Sequence, residues 1–327
     1  MSKYKIAVIG ATGLVGATML KVLEEKKLTD NEIIVSASGR SVGKKINIAG
    51  KEHFVISVEA AIEATPHFAL FSAGSEVSIK YAPLFAKKGT VVIDNSSAWR
   101  NFDEIPLVVP QINGDVVKPE DKIIANPNCS TIQMVMALAP LHQRYGLKRV
   151  VVSTYQSVTG TGANAVAQLM KERVGEKCEK VYPHPIDMNL FPHGGSFEPN
   201  NYTTEEMKLV TETRKILRAP QVQITATVVR VPVVGGHSEA INAAFENEFE
   251  INDVMKMLND FSGIKVIDNP INNEYPMPLT AHGKDEVFVG RIRRDESQPK
   301  TLNLWVVADN LRKGAATNAV EIMEQLM

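Results

Sequence analysis

The sequence predicts an α/β protein in two parts, a doubly wound parallel sheet in the first third followed by an α+β unit with a mixed or antiparallel sheet. Three observations carry this. A buried strand at 5–9 runs through Gly10-Ala11-Thr12-Gly13-Leu14-Val15-Gly16 into a helix of apolar spacing at 14–27. Short apolar runs then recur at 32–36, 68–71, 90–93 and 122–125, as strands buried on both faces do. Beyond residue 129 the strands lengthen, to 149–156, 222–234, 238–247, 287–293 and 302–308, with helices at 163–174, 205–217 and 252–261 and a terminal one at 311–326. No repeat or low-complexity run interrupts them, and the long irregular stretch around 182–201 is functional, an interface, or both.

The first junction has the form of a dinucleotide cradle. Gly10, Gly13 and Gly16 let backbone approach a pyrophosphate while the first turn, with Thr12, Leu14 and Val15, turns its N–H groups toward it. This makes the N-terminal part Rossmann-like. The second strand lacks the usual terminal carboxylate for a ribose 2′-hydroxyl and runs into Ser38, Arg40 and Ser41. Hydroxyls and a guanidinium suit a 2′-phosphate, so NADP is the expected cofactor. The strands at 68–71 and 90–93 end in Ser72-Ala73-Gly74-Ser75 and Asp94-Asn95-Ser96-Ser97, which line the ligand crevice of such a sheet, and Arg100 projects toward it.

The second junction carries a thiol. In Asn126-Pro127-Asn128-Cys129-Ser130-Thr131 the proline ends a short strand, and Asn128 caps a helix from about 130 to 145. Cys129 in the first turn meets the positive end of the helix dipole, which favours thiolate and arms it for attack on a carbonyl. The other reading of such a cysteine is a small buried hydrophobe. Arg230 and His237 bracket a Gly235-Gly236 turn that presents both near a strand end, and an imidazole is the usual acid/base partner of a thiolate. The histidines at 53, 67, 142, 184, 193 and 282 have no comparable setting. Glu205 and Lys208 share a helix face and, on spacing alone, read as a surface ion pair.

Composition excludes several classes. A formal net charge of −1 gives no bulk attraction to nucleic acid. There is no signal peptide or long apolar span, so a cytoplasmic protein without membrane partners is expected. The two cysteines, Cys129 and Cys178, fit a reducing compartment, and no Cys/His spacing suggests a metal. Cys178 lies in a charged stretch and reads as an incidental loop residue.

Taken together, residues 10–16, Asp94-Asn95-Ser96-Ser97 with Arg100, the 126–131 segment, Tyr155-Gln156-Ser157, Arg230 with His237, and Asp309-Asn310-Leu311-Arg312-Lys313-Gly314 resemble the aspartate-semialdehyde dehydrogenase family over nearly the whole chain. The Ser97-Ala98-Trp99-Arg100 segment and the short chain resemble its Gram-positive branch. The resemblance implies NADPH-dependent reduction of β-aspartyl phosphate to aspartate β-semialdehyde with release of phosphate, toward lysine, threonine, methionine and diaminopimelate. It implies Cys129 as nucleophile, His237 as acid/base and Gln156 as orienting amide. It further implies Arg230 on the substrate carboxylate, Glu205 on its ammonium, and Arg100, Lys208 and Asn128 near the phosphate. Ser72, Gly74, Asn95, Ser157, Gly162 and Asn310 join the glycine turn as cofactor contacts. The implied domains are 1–128 with 310–327 for NADP, the last helix packing back on the first domain, and 129–309 for catalysis and homodimer formation, with a tetramer open. Two alternatives stand beside it: N-acetyl-γ-glutamyl-phosphate reductase, whose cysteine segment usually has Gly where Asn128 stands, and a non-catalytic nucleotide-sensing Rossmann scaffold.

Overall fold

The computed structural model describes residues 3–327 and divides into two compact units, 1–127 with 315–327, and 128–314. In chain order the first unit holds β1 (Lys5–Ile9), α1 (Leu14–Glu25), β2 (Glu32–Ser36), a hairpin of β3 (Lys45–Ile48) and β4 (Lys51–Phe54), and α2 (Val58–Glu63). Next come β5 (Phe68–Phe71), α3 (Ser75–Lys87), β6 (Val91–Asp94), a single turn α4 (Pro110–Asn113) and β7 (Ile123–Ala125). Its parallel sheet has the order β2-β1-β5-β6-β7. Alternation along β1 explains why the strand is apolar throughout. Ile6 and Val8 face one core shared with Met19 and Leu23 of α1, while Ala7 and Ile9 face another shared with Phe71 and Phe85. The chain lays β2 on one side of β1 and β5 on the other, so the sheet reverses direction of growth at β1/β5, where ligands bind in such sheets.

The second unit comprises α5 (Cys129–Tyr145), β8 (Leu147–Gln156), α6 (Ala163–Arg173), α7 (Thr204–Ile216), β9 (Gln223–Arg230), β10 (His237–Phe245), α8 (Ile251–Asp260), β11 (Ile264–Val266), α9 (Pro278–Ala281), β12 (Val287–Arg294) and β13 (Thr301–Ala308). Its sheet is mixed, in the order β11-β12-β13-β10-β8-β9, parallel at the two outer pairs and antiparallel between. Helix α5 lies on this sheet and is covered by α7 and α8, so it is buried nearly all round. Along β8, Val152, Thr154 and Gln156 are buried, whereas Ser153 and Tyr155 are half-buried. Along β10, His237, Glu239 and Ile241 alternate onto one buried face.

Two elements depart from the sequence reading. The strand expected at 222–234 ends at Arg230, because Pro232 and the left-handed Gly235 and Gly236 turn the chain toward β10. The terminal helix expected at 311–326 begins instead as a π-helical turn, Arg312–Ala316, and becomes α10 only at Thr317–Gln325. Helix α10 packs on α1 and α4 in the first unit, as expected.

Candidate active site and dinucleotide cavity

In the first unit, Gly10 has φ 87°, and a Cβ there would stand 2.4 Å from the Ser72 carbonyl oxygen at the end of β5. Only glycine lets the two strand ends meet. A Cβ on Gly16 would stand 2.2 Å from the Gly10 carbonyl, so Gly16 permits the close approach of α1 to the turn. Gly13 is the N-cap of α1 and provides no side-chain cap, which leaves the helix N–H groups available to an anion. Thr12, Gly13, Ser38 and Ser72 line a cavity of about 590 Å³, which α2 closes with Ser57 and Glu59. Arg40 and Ser41 lie in the turn following Ser38; Arg40 is exposed and stands beside that wall rather than in it. Leu14 and Val15 form the first turn of α1, and Gly74 is the N-cap of α3 with φ 83°. Asn95 accepts from the Asn126 amide at 2.7 Å, and its carbonyl accepts from Arg100 Nη2 at 2.9 Å, which orients the buried Arg100.

In the second unit, Cys129 is the first residue of α5, and Asn128 Oδ1 accepts from the N–H groups of Ser130 (3.0 Å) and Thr131 (3.3 Å). Asn128 Nδ2 donates to Glu205, and the Asn128 N–H donates to the buried Glu212 at 2.7 Å. Asn128 is thus engaged as a cap and a strut rather than left open for a ligand. Beside Cys129, Gly314 stands where a Cβ would lie 2.8 Å from that of the cysteine, so the π-helical turn carries glycine against the thiol. Gln156 Nε2 donates to Ser130 Oγ at 2.9 Å, tying the end of β8 to the start of α5.

His237 is fully buried. The Ser157 N–H donates to its Nδ1 at 3.0 Å, so the ring proton resides on Nε2, which has no partner among the described residues. Burial first, and the Arg230 cation second, lower its pKa to about 3, so the ring is neutral at physiological pH. Arg230, 6 % exposed, donates from Nη1 to the Ser157 carbonyl at 2.8 Å. Its Nε finds no acceptor, and among the described residues no carboxylate pairs with it. A buried cation so placed is built for an anionic ligand. Gly160 borders both groups: a Cβ there would lie 3.0 Å from His237 Nε2 and 3.1 Å from Arg230 Nη1.

Glu205 and Lys208 form a partly buried ion pair at 2.7 Å, on a helix that Thr203 and Glu206 start with a capping box. Asn310 Oδ1 accepts from Ser157 Oγ, Thr159 Oγ1 and the Gly236 N–H at 3.1, 2.9 and 3.2 Å, and so holds the His237 turn in place. Gly162 is the N-cap of α6 at φ 111°. The irregular 175–202 stretch, left open by the sequence, forms a wall of this site. Tyr182, Ile186 and Phe191 make a small core with Val158 and Leu169, Phe191 bridges to Arg230 through both backbone groups, and Tyr182 stacks beneath its guanidinium. Cys178 lies half-buried in the same stretch with no element of its own. The signal that sequence reasoning missed was the Tyr/Phe spacing within an otherwise turn-rich loop.

A phosphate-type glycine turn on one unit, and a helix-borne thiol with a neutral histidine and an uncompensated buried arginine on the other, are the parts of a semialdehyde dehydrogenase. Residues 5–119 match the description "Semialdehyde dehydrogenase, NAD binding domain", and 138–313 match "Semialdehyde dehydrogenase, dimerisation domain". Within that class the chain belongs to the aspartate-semialdehyde dehydrogenase family, and it is an oxidoreductase. An aspartate-semialdehyde dehydrogenase of Aquifex aeolicus is 50% identical, the match covering 99% of this chain and 98% of that one. A crystal structure of aspartate semialdehyde dehydrogenase II from Vibrio cholerae, complexed with ASA, is 44% identical with a TM-score of 0.95, covering 100% of this chain and 98% of that one. A Candida albicans aspartate semialdehyde dehydrogenase structure with NADP is 25% identical with a TM-score of 0.77, covering 99% and 98%.

Proposed function

We propose that the protein reduces β-aspartyl phosphate to aspartate β-semialdehyde, reversibly and with NADPH, through a thioester on Cys129. The single observation that carries this is the buried Arg230 with no carboxylate partner, beside a neutral His237 whose Nε2–H is unengaged. The glycine turn fits a dinucleotide by its crowded Gly10 and its uncapped helix. Bound there, NADPH supplies the hydride. Cys129 Sγ attacks the acyl carbon at the N-terminal end of α5, where helix N–H groups favour negative charge, and phosphate leaves with the bonding pair. His237 Nε2–H donates to the former acyl oxygen as charge gathers on it, and collapse to the aldehyde returns that proton to nitrogen and the electron pair to sulfur. Gln156 orients the acyl group, Arg230 holds the α-carboxylate as a planar fork, and Glu205 takes the α-ammonium in exchange for Lys208. Arg100 and the released Lys208 then hold phosphate, with Asn128 fixing the helix start.

In this reading the unit 1–128 with 310–327 binds NADP through Gly10, Gly13, Gly16, Ser38, Arg40 and Ser41, and 129–309 carries catalysis. The half-buried sheet face bearing Tyr155 and Trp305 joins two copies as a homodimer. Among the described residues no helix is long and apolar enough to cross a membrane, and a cytoplasmic place in amino-acid biosynthesis follows from the reaction. The test is NADP reduction by aspartate semialdehyde with and without phosphate or arsenate. Turnover that requires the anion is the expected result; turnover indifferent to it, or absent, overturns the proposal.

A further inference from the structure

One layer beneath the reacting groups lies a second polar set that the reaction does not use. Glu239 is two residues after His237 on the same face of β10, Thr154 is two before Gln156 on β8, and Gln133 is one turn after Cys129 on α5. All three are buried, with exposures of 0 %, 0 % and 0 %. In the sheet Glu239 sits directly between Thr154 and Val306, so the Thr154 and Glu239 side chains stand side by side. The Gln133 amide lies against the Glu239 carboxyl, and its Nε2 is aimed at the His237 carbonyl at 3.4 Å.

Both Glu239 carboxyl oxygens, Gln133 Oε1 and Thr154 Oγ1 find no hydrogen-bond partner among the described residues. An anion buried against acceptors, with no cation at hand, costs several kcal/mol. A single added proton gives Glu239 a donor for Gln133 Oε1. We propose that Glu239 is a positioning residue held as a neutral carboxylic acid whose O–H donates to Gln133 Oε1. Gln133 Nε2 continues the chain to the His237 carbonyl, so one relay ties together β10 and α5, the elements that carry His237 and Cys129. Burial raises the Glu239 pKa well above the usual carboxylate range and outweighs a lowering by the Gln133 side chain. The relay matters to the proposed function by fixing the strand that carries the imidazole to the helix that carries the thiol, and it rests on that reading only for its effect on rate.

Glu239→Gln supplies a donor and an acceptor at the same place, whereas Glu239→Leu supplies neither. The expected result is a kcat within about threefold of wild type for Glu239→Gln and a loss of about tenfold or more for Glu239→Leu, with the KM for aspartate semialdehyde little changed in both. Infrared difference spectra at neutral pH, taken without substrate, decide the protonation state whether or not the leucine variant folds. The carbonyl stretch of a protonated carboxyl present in wild type should vanish in Glu239→Gln. Absence of that band difference overturns the proposal independently of any activity, and so does a loss beyond tenfold in Glu239→Gln, which would mark Glu239 as a needed charge.

Discussion

At two of its strand–helix junctions the chain uses the same local device, a strand that ends in a tight turn and starts a helix, and finishes it in opposite ways. At the β1–α1 turn the cap is Gly13, no side chain closes the helix, and the N–H groups are left for an anion from outside. At the β7–α5 turn the cap is Asn128, its Oδ1 takes two of those N–H groups, and Glu205 and Glu212 brace it from α7. An open helix end binds. A closed one fixes the start of its helix, and here that start carries Cys129. In the proposed function, the difference of one residue type at the cap separates a binding junction from a catalytic one.

Removing the reacting atom should break the comparison most completely. Cys129→Ala is expected to lower kcat by about a thousandfold or more while thermal stability and NADP affinity stay near wild type, because only the covalent step is lost. Stopped-flow turnover and cofactor titration on one preparation check both halves of that statement. Residual activity of a few per cent would remove the thiol from the mechanism.

Acid should reach the catalytic junction through His237. Its pKa is lowered from 6.5 to about 3 by folding, so between those values the unfolded chain binds a proton that the native ring refuses. The native state keeps this advantage fully above pH 6.5 and loses it as pH falls toward 3. The slope approaches about 1.4 kcal/mol per pH unit from this one group. Chemical denaturation of wild type and His237→Asn across that range should show a shallower acid loss in the variant; parallel curves would mean that the ring is charged in the native protein.

Caps should respond unequally. Asn128→Ala is expected to cost about 1 kcal/mol of stability through two lost cap bonds. Gly13→Ala should leave stability unchanged, since Gly13 has extended backbone and its Cβ would meet only the Gly10 carbonyl, at 3.4 Å. The methyl should instead raise the KM for NADP. Melting curves beside cofactor titrations sharpen the contrast, and equal melting losses would erase it.

The smallest effect belongs to Arg40, exposed beside the cavity wall. Arg40→Ala is expected to raise the KM for NADP by about threefold and leave that for NAD alone, as a solvent-screened cation on a 2′-phosphate would. A matched rise for both cofactors would assign Arg40 to the shape of the turn.

Both junctions were legible in the sequence because each is local: strand, cap and helix follow one another within about a dozen residues, and their chemistry is set by sterics and capping. The β3–β4 hairpin was not, since its apolar face is only Ile46 and Ile48 on a four-residue β3, while β4 is charged and largely exposed. Nor was the role of 175–202, whose order comes from Gln168 and Glu172 of α6 accepting backbone N–H groups of Val181, Tyr182, Ile186 and Asp187. Those bonds are tertiary. Glu239 was hidden for a related reason: an acid in an alternating strand reads as solvent-facing, and only the helix laid over β10 buries it. Asn128 was read correctly as a cap, while its grip on Glu205 required α7 to be folded beside it.

The charge on Arg230 acts on the ring beside it as well as on the carboxylate proposed for it. Its positive charge is the second cause of the depressed His237 pKa, and any carboxylate that pairs with the guanidinium cancels that repulsion. Occupancy and basicity are therefore thermodynamically linked, and the linkage is reciprocal. A carboxylate ligand raises the proton affinity of the ring, and acidification toward that pKa tightens the ligand. Calorimetry of aspartate semialdehyde binding in buffers of different ionisation enthalpy should record proton uptake at low pH, and Arg230→Leu should abolish it. The ring would then be at its most basic only when there is a substrate oxygen in front of it, and an empty site would hold a histidine that neither takes up a proton from solvent nor attracts stray anions.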